Sequence, residues 1–398
     1  MDPARAARPP IPRRIAHCDL DTFFVAVERL RDPSLVGKPV LVGGRGPRSV
    51  VATASYEARR FGCHSAQPMA QALRMCPQAI VVPPQFTSYR DASAAFHALL
   101  HSVSPIVESI GLDEAFIDLT GLEDGARGAR EAVSTLRTRV RAELGLAVSV
   151  GIASSRTVAK VASDRAKPDS LLDVPVDGDA AFLAPLPLRE LPFLGPRLAE
   201  RLTAAGVRTL GQVADLDEKW LERQFGSAGH ALSERARGID PTPVRAIPRA
   251  AVSVSREVTF EEDVTDIEAL HRMLRGHAEH IGADLRRAGR RARTVTIKVR
   301  WPDFTTFTHS RTLTRPAQTT EQLASAGRTL LDEVFAKEGC HPVRLIGLGT
   351  TNFVEDAVQL TFEDDGLLHD GRLDRALDSI RDRFGYRAVS RGTSRTRP

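Results

Sequence analysis

The 398-residue chain is 42% hydrophobic, ordinary for a globular protein and long enough for roughly two to four domains with real cores. Its 55 Lys and Arg against 50 Asp and Glu leave a net charge of +5, so any strongly charged surface must come from local clustering and not from the total. No run approaches transmembrane length, residues 1–14 are Pro- and Arg-rich without the apolar centre of a secretory signal, and Cys18, Cys63, Cys76 and Cys340 stand at no metal-ligand or redox-motif spacing. A disordered leader, reduced thiols and a cytoplasmic location are expected.

In chain order, residues 15–19 read as a short buried strand that hands over to helical spacing at 23–30, leaving Asp19 at the junction. Strands at 39–43 and 49–54 flank a Gly- and Pro-rich turn, and the second leads into Tyr56-Glu57-Ala58-Arg59-Arg60. An amphipathic helix at 92–103, strands at 106–110 and 115–119, a long helix at 127–144, a strand at 148–152 and a helix at 157–166 follow. That order resembles a βαββαβ sheet with helices on one side, which sets Asp19 and Asp113 side by side. The proline-rich stretch 175–192 marks a boundary. Beyond it Gly195-Pro196-Arg197 begins a helix with proline at its first position, Ala205-Gly206-Val207 ends it, and further helices run to 236. Residues 238–249, with three prolines and no periodicity, read as an interdomain linker. From 252 a second α/β unit is expected: strand 252–260, helix 267–287, strands 294–301 and 305–313, helix 320–337 and strand 343–352. Residues 386–398, rich in Arg, Ser and Thr, read as disordered.

The run Gly111-Leu112-Asp113-Glu114-Ala115-Phe116-Ile117-Asp118-Leu119 places two adjacent carboxylates in an apolar, strand-like stretch. Neighbouring side chains on a regular strand point to opposite faces, so both acids serve one site only if the chain turns there, as Gly111 would permit. Buried together they need protonation or a cation; the alternative is a solvent-facing hairpin tip. Asp19 supplies a third acid, and Mg²⁺ is held by one or two carboxylates together with substrate phosphates. Two such ions can clamp the attacking and leaving oxygens of a phosphoryl displacement. Thr53, Tyr56 and Arg59 from one side and Lys167 from the other supply phosphate-binding groups, and together they describe a nucleoside-triphosphate site. Residues 284–300 carry Arg286, Arg287, Arg290, Arg291, Arg293, Lys298 and Arg300 against the single acid Asp284, which suits phosphate contacts or, equally, a solvated surface.

The stretch His17-Cys18-Asp19-Leu20-Asp21-Thr22-Phe23-Phe24-Val25-Ala26-Val27-Glu28 closely resembles the opening motif of the Y-family translesion DNA polymerases, especially their DNA polymerase IV branch. Thr53-Ala54-Ser55-Tyr56-Glu57-Ala58-Arg59, Leu112-Asp113-Glu114-Ala115-Phe116, and Ala159-Lys160 through Ala166-Lys167-Pro168 match later motifs in the same order, and the likeness runs over residues 13–362. The resemblance implies a multidomain α/β fold of the right-hand kind. Its parts would be a βαββαβ palm (15–22 and 85–174), small fingers (23–84), a helical helix-hairpin-helix thumb (175–242), a linker (243–249), an α/β little finger (250–360) and a C-terminal tail (361–398).

The resemblance further implies template-directed, low-fidelity addition of deoxyribonucleotides to a primer 3′-hydroxyl, in translesion synthesis and damage tolerance, with two Mg²⁺ ions for which Mn²⁺ could substitute. Asp19 and Asp113 would bind both metals, Glu114 the one that activates the primer hydroxyl, and the Leu20 carbonyl the triphosphate-bound one, with Asp21 orienting its neighbours. Backbone amides at Phe23 and Phe24, with Thr53, Tyr56, Arg59 and Lys167, would cradle the triphosphate. Phe24 falls at the steric gate, an aromatic ring under the sugar that leaves no room for a 2′-hydroxyl; a core aromatic is the alternative. The arginine cluster would contact template and duplex backbone. Gln359-Leu360-Thr361-Phe362 looks like the peptide that docks on the sliding clamp through Leu360 and Phe362, with a plain strand end as the alternative. A monomer acting on primer-template DNA and deoxyribonucleoside triphosphates is expected.

Three positions depart from the pattern: Gly111 where serine is frequent, Ser170 where glycine commonly follows the Lys-Pro pair, and Phe193 where the thumb hairpin usually has glycine. The last bears on the thumb's phosphate-binding turn, because a bulky side chain disfavours the close backbone approach that glycine permits. Two rivals use some of the same residues. A nucleotidyl cyclase shares a palm-like sheet with paired acids and two metals but needs no thumb or little finger, and a non-catalytic DNA-binding relative need not keep Asp19, Asp113 and Glu114.

Overall fold

The structure is a computed structural model that describes residues 12–247, 250–355 and 365–389. Gln359, Leu360 and Phe362, the expected clamp peptide, lie outside the described residues. The chain divides into two compact units, residues 1–45 with 49–248 and residues 46–48 with 249–398.

In the first unit the strands are β1 (Ile15–Leu20), β2 (Val40–Gly43), β3 (Val51–Ala54), β4 (Ile80–Val82), β5 (Val107–Ser109), β6 (Glu114–Asp118), β7 (Val148–Ala153) and β8 (Leu171–Asp173). Five of them form a sheet in the order β5-β6-β1-β7-β8, and a small separate sheet runs β3-β2-β4. β1 is central, antiparallel to both β6 and β7, and all six of its residues are buried. Burial without alternation requires cover on both faces. Ala16, Cys18 and Leu20 share a core with Tyr89, Phe96 and Leu100 of the Phe86–His101 helix and with Val133 and Leu136 of the Ala126–Arg139 helix. Ile15, on the other face, packs in a core with Val158, Val161 and Ala162 of the Arg156–Ala166 helix. The order of elements in the sequence predicts helices on one side only. The second layer depends on Gly151 of β7, where a Cβ would run into the Ala159 carbonyl oxygen and the Ser163 amide nitrogen of that helix.

The β2–β4 sheet closes over its own small core of Leu41, Val51, Ala54, Met69 and Cys76. The helix expected at 127–144 continues from Ala126–Arg139 into a wider π-helical turn, Val140–Leu144. After the proline-rich boundary come helices Pro196–Ala204, Leu210–Ala214, Glu218–Phe225 and Ser227–Ala236, the first with proline in its opening turn and the second held by a Thr209–Gln212 capping box. Leu202, Leu210, Leu221 and Leu232 bury into the core that also contains the Arg156–Ala166 helix.

The second unit is an antiparallel sheet of β9 (Ser253–Val264), β10 (Arg290–Arg300), β11 (Thr306–Ala317) and β12 (Val343–Glu355), in the order β11-β10-β12-β9. The Ile267–Arg287 and Thr320–Glu338 helices cover one face, with Leu270, Leu274, Leu323 and Leu330 in one core with Val295, Ile297, Ile346 and Leu348. A third helix, Asp365–Phe384, has no counterpart in the sequence reading, where these residues are a tail. It is fastened by charge: Arg286 pairs with Asp378 (2.7 Å) and Asp374 (3.1 Å), Arg381 pairs with Glu279 (2.7 Å), and Asp374 also accepts the Thr320 amide (2.7 Å). The Arg286 and Asp374 side chains are only 8% and 2% exposed.

Removing one partner of a buried ion pair leaves the other charge stranded, which costs about 3 kcal/mol or more. Arg286→Ala is therefore expected to destabilise the second unit by about that amount in chemical denaturation of the full chain, whereas Arg293→Ala, at an exposed position, stays within about 0.5 kcal/mol of the wild type.

Candidate active site

Asp19, near the end of β1, lies directly opposite Glu114, the first residue of β6. The Leu20 amide donates to the Asp113 carbonyl (2.9 Å), and the Ile110 and Gly111 amides both reach the Glu114 carbonyl (3.0 and 3.3 Å), so the hairpin turns just ahead of β6. Gly111 is not among the positive-φ residues, and a Cβ on it would meet only ordinary contacts, at 3.4 Å from Asp113 Oδ1 and 3.8 Å from Glu114 Cγ. The turn is made by register and does not require glycine.

The acids do not face one another unaccompanied. Lys167 Nζ is 2.7 Å from Asp19 Oδ2, and Lys160 Nζ is 2.8 Å from Glu114 Oε2 and 3.5 Å from Asp19 Oδ2. His17 lies beneath: its Nδ1 is 2.7 Å from Ser163 Oγ and its Nε2 is 3.3 Å from Glu114 Oε2. His17 and Lys160 hold the Glu114 carboxyl down at about 2, while burial and the charge of Asp19 push Asp113 above the ordinary carboxylate range. Ligating atoms of His17, Asp19 and Glu114 come within 4.8 Å of one another; the second such cluster among the described residues, Glu218, Glu222 and His230, is on the surface of the helical region. Asp113 stands outside that triad yet close enough for the charge of Asp19 to act on it. This donor set fits a hard divalent cation: carboxylate oxygens of Asp19 and Glu114 converge, balanced in this structure by the Lys160 and Lys167 ammonium groups.

Asp21, buried next to the acids, serves a different end. It accepts from Tyr56 Oη (3.0 Å), from Ser149 Oγ (3.0 Å) and from the Asp169 amide (2.5 Å). Burial and Asp21 raise the Tyr56 hydroxyl, which stays protonated and donating. Thr53, half-buried on β3, and Arg59, whose guanidinium stacks 5.2 Å over the Tyr56 ring while Nε donates to the Ala54 carbonyl, come from the same short segment. Thus Tyr56 and, through it, Arg59 are tied to the carboxylate side. Phe23 is buried at the start of the Phe23–Arg31 helix, where the first amides lack intrahelical acceptors. The half-buried Phe24 ring stacks on Tyr89 at 4.2 Å and 11°, and the Tyr89 hydroxyl is fixed by the buried Glu28 carboxylate (2.5 Å).

In the second unit the basic cluster does not act as one group. Arg286 is committed to its buried pairs, which excludes the phosphate contact expected of it; Arg287 pairs with Asp284 and Asp382, Lys298 with Glu257, and Arg300 donates to Thr306. Arg290 donates to the Ala251 carbonyl and lies 5.9 Å over Phe353, Arg291 is half-buried, and Arg293 is exposed. His17, Lys160 and Ser149 were missed as site residues. The signal for His17 was its parity: on a strand, residues two apart share a face, so His17 had to lie beside Asp19.

Residues 18–164 match the model of the impB/mucB/samB family, and residues 251–362 that of its C-terminal domain. A DNA polymerase IV of Dehalococcoides mccartyi strain CBDB1 is 40% identical over 381 residues, covering 96% of this chain and 97% of that protein. The DNA polymerase IV of Streptomyces coelicolor is 43% identical over 344 residues, 86% of this chain and 71% of that one. The chain belongs to the Y-family DNA polymerases, on the DNA polymerase IV branch. The fold agrees: a Y-family polymerase chimera built on Dbh superposes with a TM-score of 0.76 at 24% identity, over 86% of this chain and 99% of that one, and DinB from Sulfolobus solfataricus with 0.59 over the same shares.

In this polymerase the raised Asp113 has a direct consequence. A cation binds the deprotonated carboxylate, so the affinity of the DNA-free polymerase for Mn²⁺ should rise with pH through the range above the usual carboxylate value, with Glu114 ionised throughout. Titration followed by the electron-spin resonance of free Mn²⁺ should show that rise in the wild type and a flatter dependence in Asp113→Asn.

Proposed function

We propose that this DNA polymerase adds deoxyribonucleotides to a primer 3′-hydroxyl on a DNA template with two divalent ions, Mg²⁺ or in its place Mn²⁺, and works at low fidelity in damage tolerance in the cytoplasm, as a monomer that docks on a sliding clamp. The observation that carries the chemistry is the convergence of Asp19 and Glu114, with Asp113 beside them on the hairpin, against the ammonium groups of Lys160 and Lys167. When bound, the ions would supply the charge that lowers the pKa of the attacking hydroxyl and spreads the charge of the leaving pyrophosphate.

The chain's own residues would do the rest. Asp19, Asp113 and Glu114, with the Leu20 carbonyl, would hold the ions. Lys167, released from Asp19, would turn to the triphosphate beside Thr53, Tyr56 and Arg59 and the amides of Phe23 and Phe24. Positioning of this kind supplies most of the catalysis in phosphoryl transfer, which has little covalent chemistry for a protein to perform. Phe24 would lie under the sugar, and its stack on Tyr89 keeps the ring from yielding to a 2′-hydroxyl.

For the second unit, Arg290, Arg291, Arg293, Lys298 and Arg300 are retained as backbone-contacting candidates, joined by the uncovered face of the sheet. There Ser255, Thr296, Thr308, Gly347 and Gly349 line a shallow trough with the Lys298–Glu257 ion pair, and a sugar-phosphate strand entering it would have to draw Lys298 away from Glu257. Arg286 is left out for its buried pairing.

Primer extension tests the reading. The wild type should extend a primer on undamaged and minor-groove-adducted templates, and Asp113→Ala should lose about a thousandfold or more in rate. A product formed without template would return the cyclase alternative. Phe24→Ala should polymerise while admitting ribonucleotides; unchanged preference for deoxyribonucleotides would remove Phe24 from the gate.

A further inference from the structure

Phe193 is the most exposed large apolar side chain among the described residues, 89% accessible, and its backbone is left-handed with φ 68°. A residue with a Cβ adopts that conformation at a cost, and an aromatic ring in water adds another. The hydrophobic cores do not include this ring. Its aromatic partner is a cation, the Arg235 guanidinium 5.6 Å from the ring centre. The turn beneath is anchored: Leu191 is 3% exposed, its amide donates to the Leu188 carbonyl (3.1 Å), and its own carbonyl accepts the Leu194 amide (3.3 Å). A rigid base thus presents a ring outward.

The surroundings fit a polyanion with apolar surface. Between Glu190, which is paired with Arg165, and Glu200 the turn carries no carboxylate; Arg197 on it is exposed, and Arg235, which also faces Asp240, covers one side of the ring. Duplex DNA offers both chemistries at once, with phosphates along the strands and the carbon faces of deoxyribose between them. We propose that Phe193 is an apolar contact of this polymerase with the deoxyribose edges of its duplex product, with Arg235 stiffening the ring and meeting the flanking phosphates. The proposal rests on the DNA-polymerase reading above. Such a contact adds affinity that salt does not screen, beside the salt-dependent attraction of the cationic groups.

The test is the dissociation constant for a primer-template duplex, by fluorescence anisotropy over a salt series, with thermal unfolding of each variant. Phe193→Gly should bind about 3- to 10-fold more weakly at every salt concentration with a parallel salt slope, as expected for losing part of one ring's burial. Glycine accepts the left-handed backbone, so its Tm should not fall below the wild type's. Phe193→Trp, which keeps a ring, should bind as the wild type does, and Arg235→Ala should flatten the slope. Equal affinity of wild type and Phe193→Gly overturns the proposal. So does an equal loss in Phe193→Gly and Phe193→Trp, which would make the backbone the contact. A wild type that fails to bind the duplex would instead overturn the polymerase reading.

Discussion

Carboxylates crowded at the ends of adjacent strands repel one another, and the fold of the first unit is arranged around making that repulsion bearable. The β1–β6 register sets Asp19 against Glu114, and Asp113 follows from the turn. The counterweight comes from the helix on the far face of the sheet, whose Lys160, together with Lys167 at its end, reaches over the strand ends to the acids. That helix can lie so close only because Gly151 on β7 offers no side chain. A missing methyl group in the middle of the sheet is therefore part of the electrostatics of the site.

The same economy links the two sides of the site. Asp21 shares the β1 exit with Asp19 but spends its oxygens on Tyr56, Ser149 and the Asp169 amide, and so joins the strand end to the segment carrying Tyr56 and Arg59 and to the chain just beyond Lys167. Two acids with one residue between them on a strand end thus divide into a charge-bearing group and a strut. Sequence spacing cannot tell them apart, because the difference lies in which neighbours each one meets.

Much of the fold was nonetheless legible. Strands such as 15–19 and 148–152 were readable because their burial is continuous and they end at polar or glycine residues, and ordered motifs identified Asp19, Asp113, Glu114 and Lys167 as candidates. What was not legible depends on contacts distant in sequence. Parity puts His17 on the Asp19 face, but its partners Ser163 and Glu114, on either side of its ring, come from segments far along the chain. Arg286 looks like its neighbours in the basic run until Asp374 and Asp378 come back to it, 88 and 92 residues later. The Asp365–Phe384 helix escaped notice for the same reason: its acidic inward residues are polar by type, and composition alone reads them as tail.

That ionic seam carries a consequence for how the second unit responds to its medium. Ions in solution screen exposed charges over a distance of about 8 Å at physiological strength but penetrate poorly to a pair that water hardly touches. The Arg286, Asp374 and Asp378 cluster and the Arg381–Glu279 pair should hold as firmly in concentrated salt as in dilute buffer, while exposed pairs such as Arg287–Asp382 weaken. One domain then contains two electrostatic systems with opposite sensitivities to salt, one closed off from it and one open to it.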